Sequence, residues 1–163
     1  MRDCVLLADL FNDFEHEEGE RLLVSFRQQV QGMRDLIQHA RTHGLPVVYT
    51  NDAAGDWTGD ARATVERARA GRAGALVDLL APAPADAFLV KPRYSAFDHT
   101  PLRFVLEELG AERLLLGGMA TERCVAQSAI DAREEGFRVT VVRAACAAVD
   151  GELGEIALRY LRD

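Results

Sequence analysis

Cys124, Asp9 and Lys91 are residue types that together suit nucleophilic attack on a carbonyl. A thiol with an ordinary pKa of about 8.5 is mostly neutral at pH 7, and its thiolate is the reactive form. A carboxylate can take its proton, and an ammonium can hold the resulting anion. Cys124 closes the stretch Gly117-Gly118-Met119-Ala120-Thr121-Glu122-Arg123-Cys124, which leaves a predicted strand through two glycines and enters a predicted helix. The first helical turn is expected to hold the cysteine, with Thr121 as N-cap, where unpaired backbone N–H groups favour the thiolate. Those N–H groups can also receive an oxyanion. The competing reading is a small apolar side chain buried in a helix.

Lys91 stands out by composition, because eighteen of the nineteen basic side chains are arginine and Lys91 is the only lysine. A compact ammonium whose pKa shifts on burial suits a reactive site better than a surface, although drift toward arginine with one survivor gives the same count. Asp9 follows the apolar run Val5-Leu6-Leu7-Ala8, where burying an unpaired carboxylate is costly. It needs a partner, and Lys91, one residue past the third predicted strand, can serve if those two strands are neighbours. A buried ion pair that only fastens the sheet is the alternative. Cys4, inside a strand run, and Cys146, within Ala144–Ala148, read as inert packing residues.

The elements that must position these groups follow from hydrophobic patterning. Short apolar runs at Cys4–Leu10, Pro46–Thr50, Ala87–Val90, Arg113–Leu116 and Arg138–Val142 predict buried parallel strands. Leu22, Phe26, Val30, Met33, Ile37 and Ala40, spaced by three and four, form one face of a helix that Gly44 ends. Helical segments are also predicted over Arg62–Arg69, Ala73–Leu80 and Glu152–Leu161, and ahead of Gly110 and Gly136. This alternation predicts an α/β fold, a three-layer, doubly wound, Rossmann-like and mostly parallel sheet. Ligands then bind beyond the carboxyl ends of the strands, at Asp9 with Asn12-Asp13-Phe14, Asn51-Asp52, Lys91, the loop to Cys124, and Arg143 onward.

A length of 163 residues predicts a single domain over 1–163. Three widely spaced cysteines without a CxxC predict free thiols. The N-terminal residues carry no signal-peptide pattern and no run near twenty apolar residues occurs, so a cytoplasmic protein with no membrane partner is expected. A net charge of −7 without a basic run argues against nucleic acid. Asp9-Leu10-Phe11-Asn12 is not a GxGxxG, and the third strand ends in lysine where a phosphorelay receiver needs an aspartate.

Three segments resemble the isochorismatase-like cysteine hydrolases, which include nicotinamidases, carbamoylsarcosine amidohydrolases and biuret hydrolases. They are Leu6-Leu7-Ala8-Asp9-Leu10-Phe11-Asn12-Asp13-Phe14, Lys91-Pro92-Arg93-Tyr94-Ser95-Ala96-Phe97 and Gly118-Met119-Ala120-Thr121-Glu122-Arg123-Cys124-Val125, in the family's order along nearly the whole chain. The resemblance implies Asp9, Lys91 and Cys124 as the catalytic trio and a cis peptide between Met119 and Ala120. It also implies an oxyanion hole from Ala120 and Cys124, and a thioester intermediate in cleavage of a small amide, ureide or carbamoyl bond. Nicotinamidases carry an Asp-x-His metal pair after the second strand, whereas this chain reads Asn51-Asp52-Ala53-Ala54. No metal and no cofactor are therefore expected, and nicotinamide is disfavoured as substrate; Asp52, Asp56 and Asp60 are either a hard-cation site or a solvated loop. Asn12, Phe14, Trp57, Tyr94 and Phe97 are the expected substrate-binding residues, with core packing as the alternative for the aromatics. By resemblance the partners are a small-molecule substrate and further copies of the chain, in a dimer or tetramer. The family usually continues past the last helix into another strand, whereas this sequence stops at Asp163, so that edge is expected to be either missing or supplied by a partner. The rival readings are a vinyl-ether-cleaving isochorismatase, which uses no cysteine nucleophile, and a non-catalytic binding member of the fold.

Overall fold

The structure is a computed structural model that describes residues 1–162, so the expected domain's last residue, Asp163, lies outside the described residues. Five strands form one sheet in the order β3-β2-β1-β4-β5, with every neighbouring pair parallel. They are β1 (Asp3–Ala8), β2 (Val47–Asp52), β3 (Ala87–Lys91), β4 (Arg113–Met119) and β5 (Arg138–Ala147). The connecting helices are α1 (Gly19–His43), α2 (Ala61–Ala70), α3 (Leu102–Glu108) and α4 (Ala126–Glu134), and α5 (Gly151–Tyr160) follows β5. Gly74–Leu80 is a 3-10 segment, and Thr121–Val125 is a π turn leading into α4.

Strand period explains the layers. In β1, Val5 and Leu7 join one core with Phe26, Met33 and Val77, while Cys4 and Leu6 join the other with Leu102, Leu106 and Ala129. Both faces of the central strand are covered, which is why it reads as an unbroken apolar run. The expectation of buried strands fails at the two edges: β3 is half-buried along most of its length, and β5 mixes exposed and half-buried residues up to Ala144. An edge strand has one neighbour and fewer elements over it.

Two glycines set how closely these layers meet. A Cβ on Gly32 would lie 1.8 Å from the Ala144 carbonyl oxygen, so this gap in α1 lets the helix settle on β5. Gly118 sits opposite Ala8 in the β1–β4 ladder with φ +129°, and a Cβ there would lie 2.1 Å from the Ala8 carbonyl oxygen. Gly118→Ala is expected to lower stability by about 3 kcal/mol, read as a fall in Tm, because it combines a disfavoured φ with a backbone collision.

β1 pairs with β2 on one side and β4 on the other, so the sheet's direction of progression reverses around it. The crevice of such a fold opens there, at the carboxyl ends of β1 and β4.

Candidate active site

β1 stops at Ala8, one residue before Asp9, which takes a left-handed φ of 53°. This turns its side chain out of the strand's alternation, and the Asp9 N–H still donates to the Thr50 carbonyl at 2.8 Å. Asn51, buried at the end of β2, holds the next residues: its Oδ1 accepts from Phe11 N at 3.1 Å and its Nδ2 donates to Phe11 O at 3.2 Å. Asp9 Oδ1 accepts from the Asp52 N–H at 2.7 Å. The other oxygen, Oδ2, is buried and has no aligned hydrogen bond; Lys91 Nζ lies 2.8 Å from it as an ion pair.

Lys91 is the last residue of β3, not the first after it, and β3 is not β1's neighbour. Its ammonium reaches Asp9 across the end of β2, two ladder spacings of about 4.8 Å away. That reach needs a long, thin stem. The ammonium is 1% exposed, donates to Arg93 O at 2.7 Å and lies 3.6 Å from Cys124 Sγ.

Cys124 arrives from the opposite side of the crevice. After β4 the Met119–Ala120 peptide is cis, and the chain folds over the Ala120 carbonyl, which accepts from Arg123 N at 3.0 Å and Val125 N at 3.2 Å. The start of this turn differs from expectation: Ala120 is the N-cap residue, no side chain caps it, and Thr121 is buried within the turn.

Burial first and the Asp9 carboxylate second push the Cys124 thiol up to about 12, with Lys91 opposing. Burial and Asp9 thus outweigh what the turn's backbone N–H groups offer a thiolate, and the thiol sits above its ordinary range where the sequence-based expectation placed it below. Burial also raises Asp9 above the usual aspartate range, with Lys91 opposing. Burial pulls the Lys91 ammonium down, but Asp9 and Cys124 beside it outweigh that and hold it above its ordinary value. Cys4 and Cys146 are pushed up to about 12 by burial as well. Only Cys124 has an ammonium against its sulfur, itself paired with a carboxylate, so geometry separates the three thiols where pKa does not.

The trio lines a cavity of about 300 Å³ together with Met119, Ala120, Asn12 and Tyr94. Three expected wall residues do not line it. Phe14 is fully buried against Phe26 with ring centroids 5.4 Å apart, and Phe97 packs on Phe137 on the other face of the sheet. Trp57 is 61% exposed. A ring close to the site in sequence gains more from burial in a core it can reach than from a polar crevice.

Walls that sequence reasoning missed are Glu18 and Leu22 at the start of α1, Arg67 and Ala68 in α2, and Val149 after β5. None belongs to a local motif; only the packing of crossover helices over the crevice brings them in. His16 is exposed and also lines this cavity. The loop carboxylates are engaged in local turns: Asp52 accepts from Ala54 N, Asp56 from Thr58, and Asp60 caps α2 through Ala63 N. Among the described residues no group of three or more His, Cys, Asp or Glu side chains is arranged to hold a metal ion. Nor is any helix long and apolar enough to cross a membrane.

The chain is 31% identical over 160 residues to YaaI, an isochorismatase family protein of Bacillus subtilis, covering 98% of this chain and 88% of that one. A shorter stretch of 88 residues is 42% identical to the ureidoacrylate amidohydrolase RutB of Methylorubrum extorquens, covering 53% of this chain and 36% of that enzyme. Among solved structures, nicotinamidase PncA from Bacillus subtilis superposes with a TM-score of 0.78 at 27% identity, covering 100% of this chain and 96% of that one. The isochorismatase domain model matches residues 3–163, and with these likenesses the chain belongs to the isochorismatase family.

Proposed function

We propose that this chain is a cysteine amidohydrolase that cleaves the C–N bond of a small amide, ureide or carbamoyl compound. The observation that carries the reading is the meeting of three buried groups in one cavity: Lys91 Nζ stands 2.8 Å from Asp9 and 3.6 Å from Cys124 Sγ. The likeness to a ureidoacrylate amidohydrolase and to a nicotinamidase supports the reaction class.

Asp9 takes the Sγ proton as sulfur attacks the carbonyl carbon, and the C=O electron pair moves onto oxygen. Its raised pKa makes it a better base than an exposed aspartate, and no backbone N–H competes for Oδ2. Lys91 stabilises the sulfur anion. The backbone N–H groups of Ala120 and Cys124, both at the cavity wall, receive the oxyanion. Collapse breaks the C–N bond while Asp9 returns its proton to the departing nitrogen. Water, giving a proton to Asp9, then adds to the thioester, and the carboxylic or carbamic acid leaves with the thiol restored. Asn12 and Tyr94 contact the substrate. The presence of Cys124 beside its base favours this chemistry over vinyl-ether cleavage.

Alkylation with iodoacetamide at neutral pH, followed by mass mapping, tests the nucleophile. Cys124 is expected to label at least about tenfold faster than Cys4 or Cys146, since only its thiolate has a cation beside it. Equal rates at the three thiols would remove the activated-nucleophile reading.

A further inference from the structure

Two residues immediately before the nucleophile have side chains that leave the turn in order to fasten it elsewhere. Glu122 Oε1 accepts from the backbone N–H of Val149 at 3.0 Å and of Asp150 at 2.9 Å. Its Oε2 is buried with no partner. A buried carboxylate oxygen left unpartnered is a cost, and what that cost secures is a three-centre tie to the junction between β5 and α5. Asp150 at that junction is itself fixed, since it caps α5 through Leu153 N. The Arg123 guanidinium makes a two-pronged pair with Glu18, one prong at 2.7 Å, at the residue preceding α1. Glu18 also sits where a helix start favours negative charge. The pair is about one-third exposed, so its worth lies in fork geometry more than in charge.

The turn carrying Cys124 is thus anchored at two consecutive residues to two different elements, α1 and the β5–α5 junction. The groups it must align with, Asp9 and Lys91, come from β1 and β3 across the crevice. We infer that Glu122 and Arg123 are positioning residues, which hold the Ala120–Cys124 turn so that the thiol stays in register with the Asp9–Lys91 pair. The inference rests on Cys124 being the nucleophile. It assigns no contact with substrate to either side chain: each acts through the turn, and a displacement of about 1 Å at such a centre is enough to cost on the order of a hundredfold. Hydrolysis needs the full alignment, whereas alkylation needs only the sulfur's contacts with Lys91 and Asp9, so the latter isolates the turn's position without a known substrate.

The test measures the iodoacetamide rate at Cys124 against pH in the full chain, beside a thermal melt. The charged groups acting on this thiol are Asp9 and Lys91, which all variants keep. Glu122→Ala and Arg123→Gln are each expected to slow labelling at pH 7 about tenfold, because the thiol loses contact with the carboxylate that takes its proton, and to lose the fall in rate that protonation of Asp9 gives the wild type at low pH. Glu122→Gln keeps an oxygen for the two N–H groups and is expected to recover the rate to within about threefold. Glu18→Gln should match Arg123→Gln, and the double variant should fall no further than either, because both remove one interaction. Wild-type rates and pH profiles in Glu122→Ala and Arg123→Gln would overturn the inference while leaving the nucleophile reading intact. So would a Gln variant no better than Ala. If Glu122→Ala does not fold, the Glu18 and Arg123 cycle decides alone, and additive losses there count against positioning. Wild-type Cys124 labelling no faster than Cys4 would instead remove the nucleophile itself.

Discussion

Replacing Cys124 with alanine is expected to lower amine release by roughly a millionfold, the scale on which an enzyme fails when its attacking atom is removed. The residual rate would come from substrate binding and the oxyanion cradle alone. No other side chain in the cavity combines a nucleophilic atom with both a base and a cation: the remaining thiols, Cys4 and Cys146, belong to the core on the far face of the sheet. The substitution removes one sulfur from a turn held by backbone and neighbouring side chains, so the fold and Tm should change little. The measurement is a release screen over small amides, ureides and carbamoyl compounds with Cys124→Ala as the blank. A fall of less than tenfold on a substrate that the wild type turns over would mean that water attacks directly and the thioester route is wrong.

Asp9→Asn is the second large effect, expected at about ten-thousandfold in kcat, comparable with loss of the orienting or proton-handling carboxylate in other triads. The amide can still accept from the Asp52 N–H, but it cannot take the thiol proton that burial keeps in place. The sign of the pH dependence follows from the direction of the Asp9 shift. A base must be unprotonated, so wild-type kcat/KM falls as pH falls through the Asp9 pKa, and burial has moved that pKa above 3.8. The acid limb should therefore sit above the ordinary aspartate range, and the residual activity of Asp9→Asn should lack it. The same substitution leaves the Lys91 ammonium, 1% exposed, without its anion, a loss of about 3 kcal/mol in stability. Rates must then be compared at a temperature where circular dichroism finds both proteins folded. An acid limb at the ordinary aspartate pKa, or one that survives in Asp9→Asn, would assign the base to another group.

Much of the architecture was legible because it is written in local periodicity. The α1 stripe of Leu22, Phe26, Val30, Met33 and Ile37 is buried as its spacing requires, and the β1 run is apolar throughout because helices cover both sides. Strand ends were less legible: β1 closes before Asp9 and β4 runs on to Met119, since ladder pairing with neighbours decides where a strand stops. Aromatics read as cavity walls went elsewhere for a similar reason, as Phe14 and Phe97 found cores on opposite faces of the sheet.

The chemical identity of the trio and the order of its parts along the chain are set by residue type alone. A lone lysine among arginines, a carboxylate closing an apolar strand and a cysteine after two glycines are properties of residue type and spacing. Tertiary structure alone decided how they meet. Strand order put β2 between Asp9 and Lys91, so the pair forms across a strand and not beside one. Packing also decided the thiol's acidity: a helix start favours a thiolate, yet closure of the crevice around Cys124 and the nearness of Asp9 push the thiol up to about 12. Dielectric and distance are sums over neighbours from every part of the chain, and no local stretch of sequence contains them.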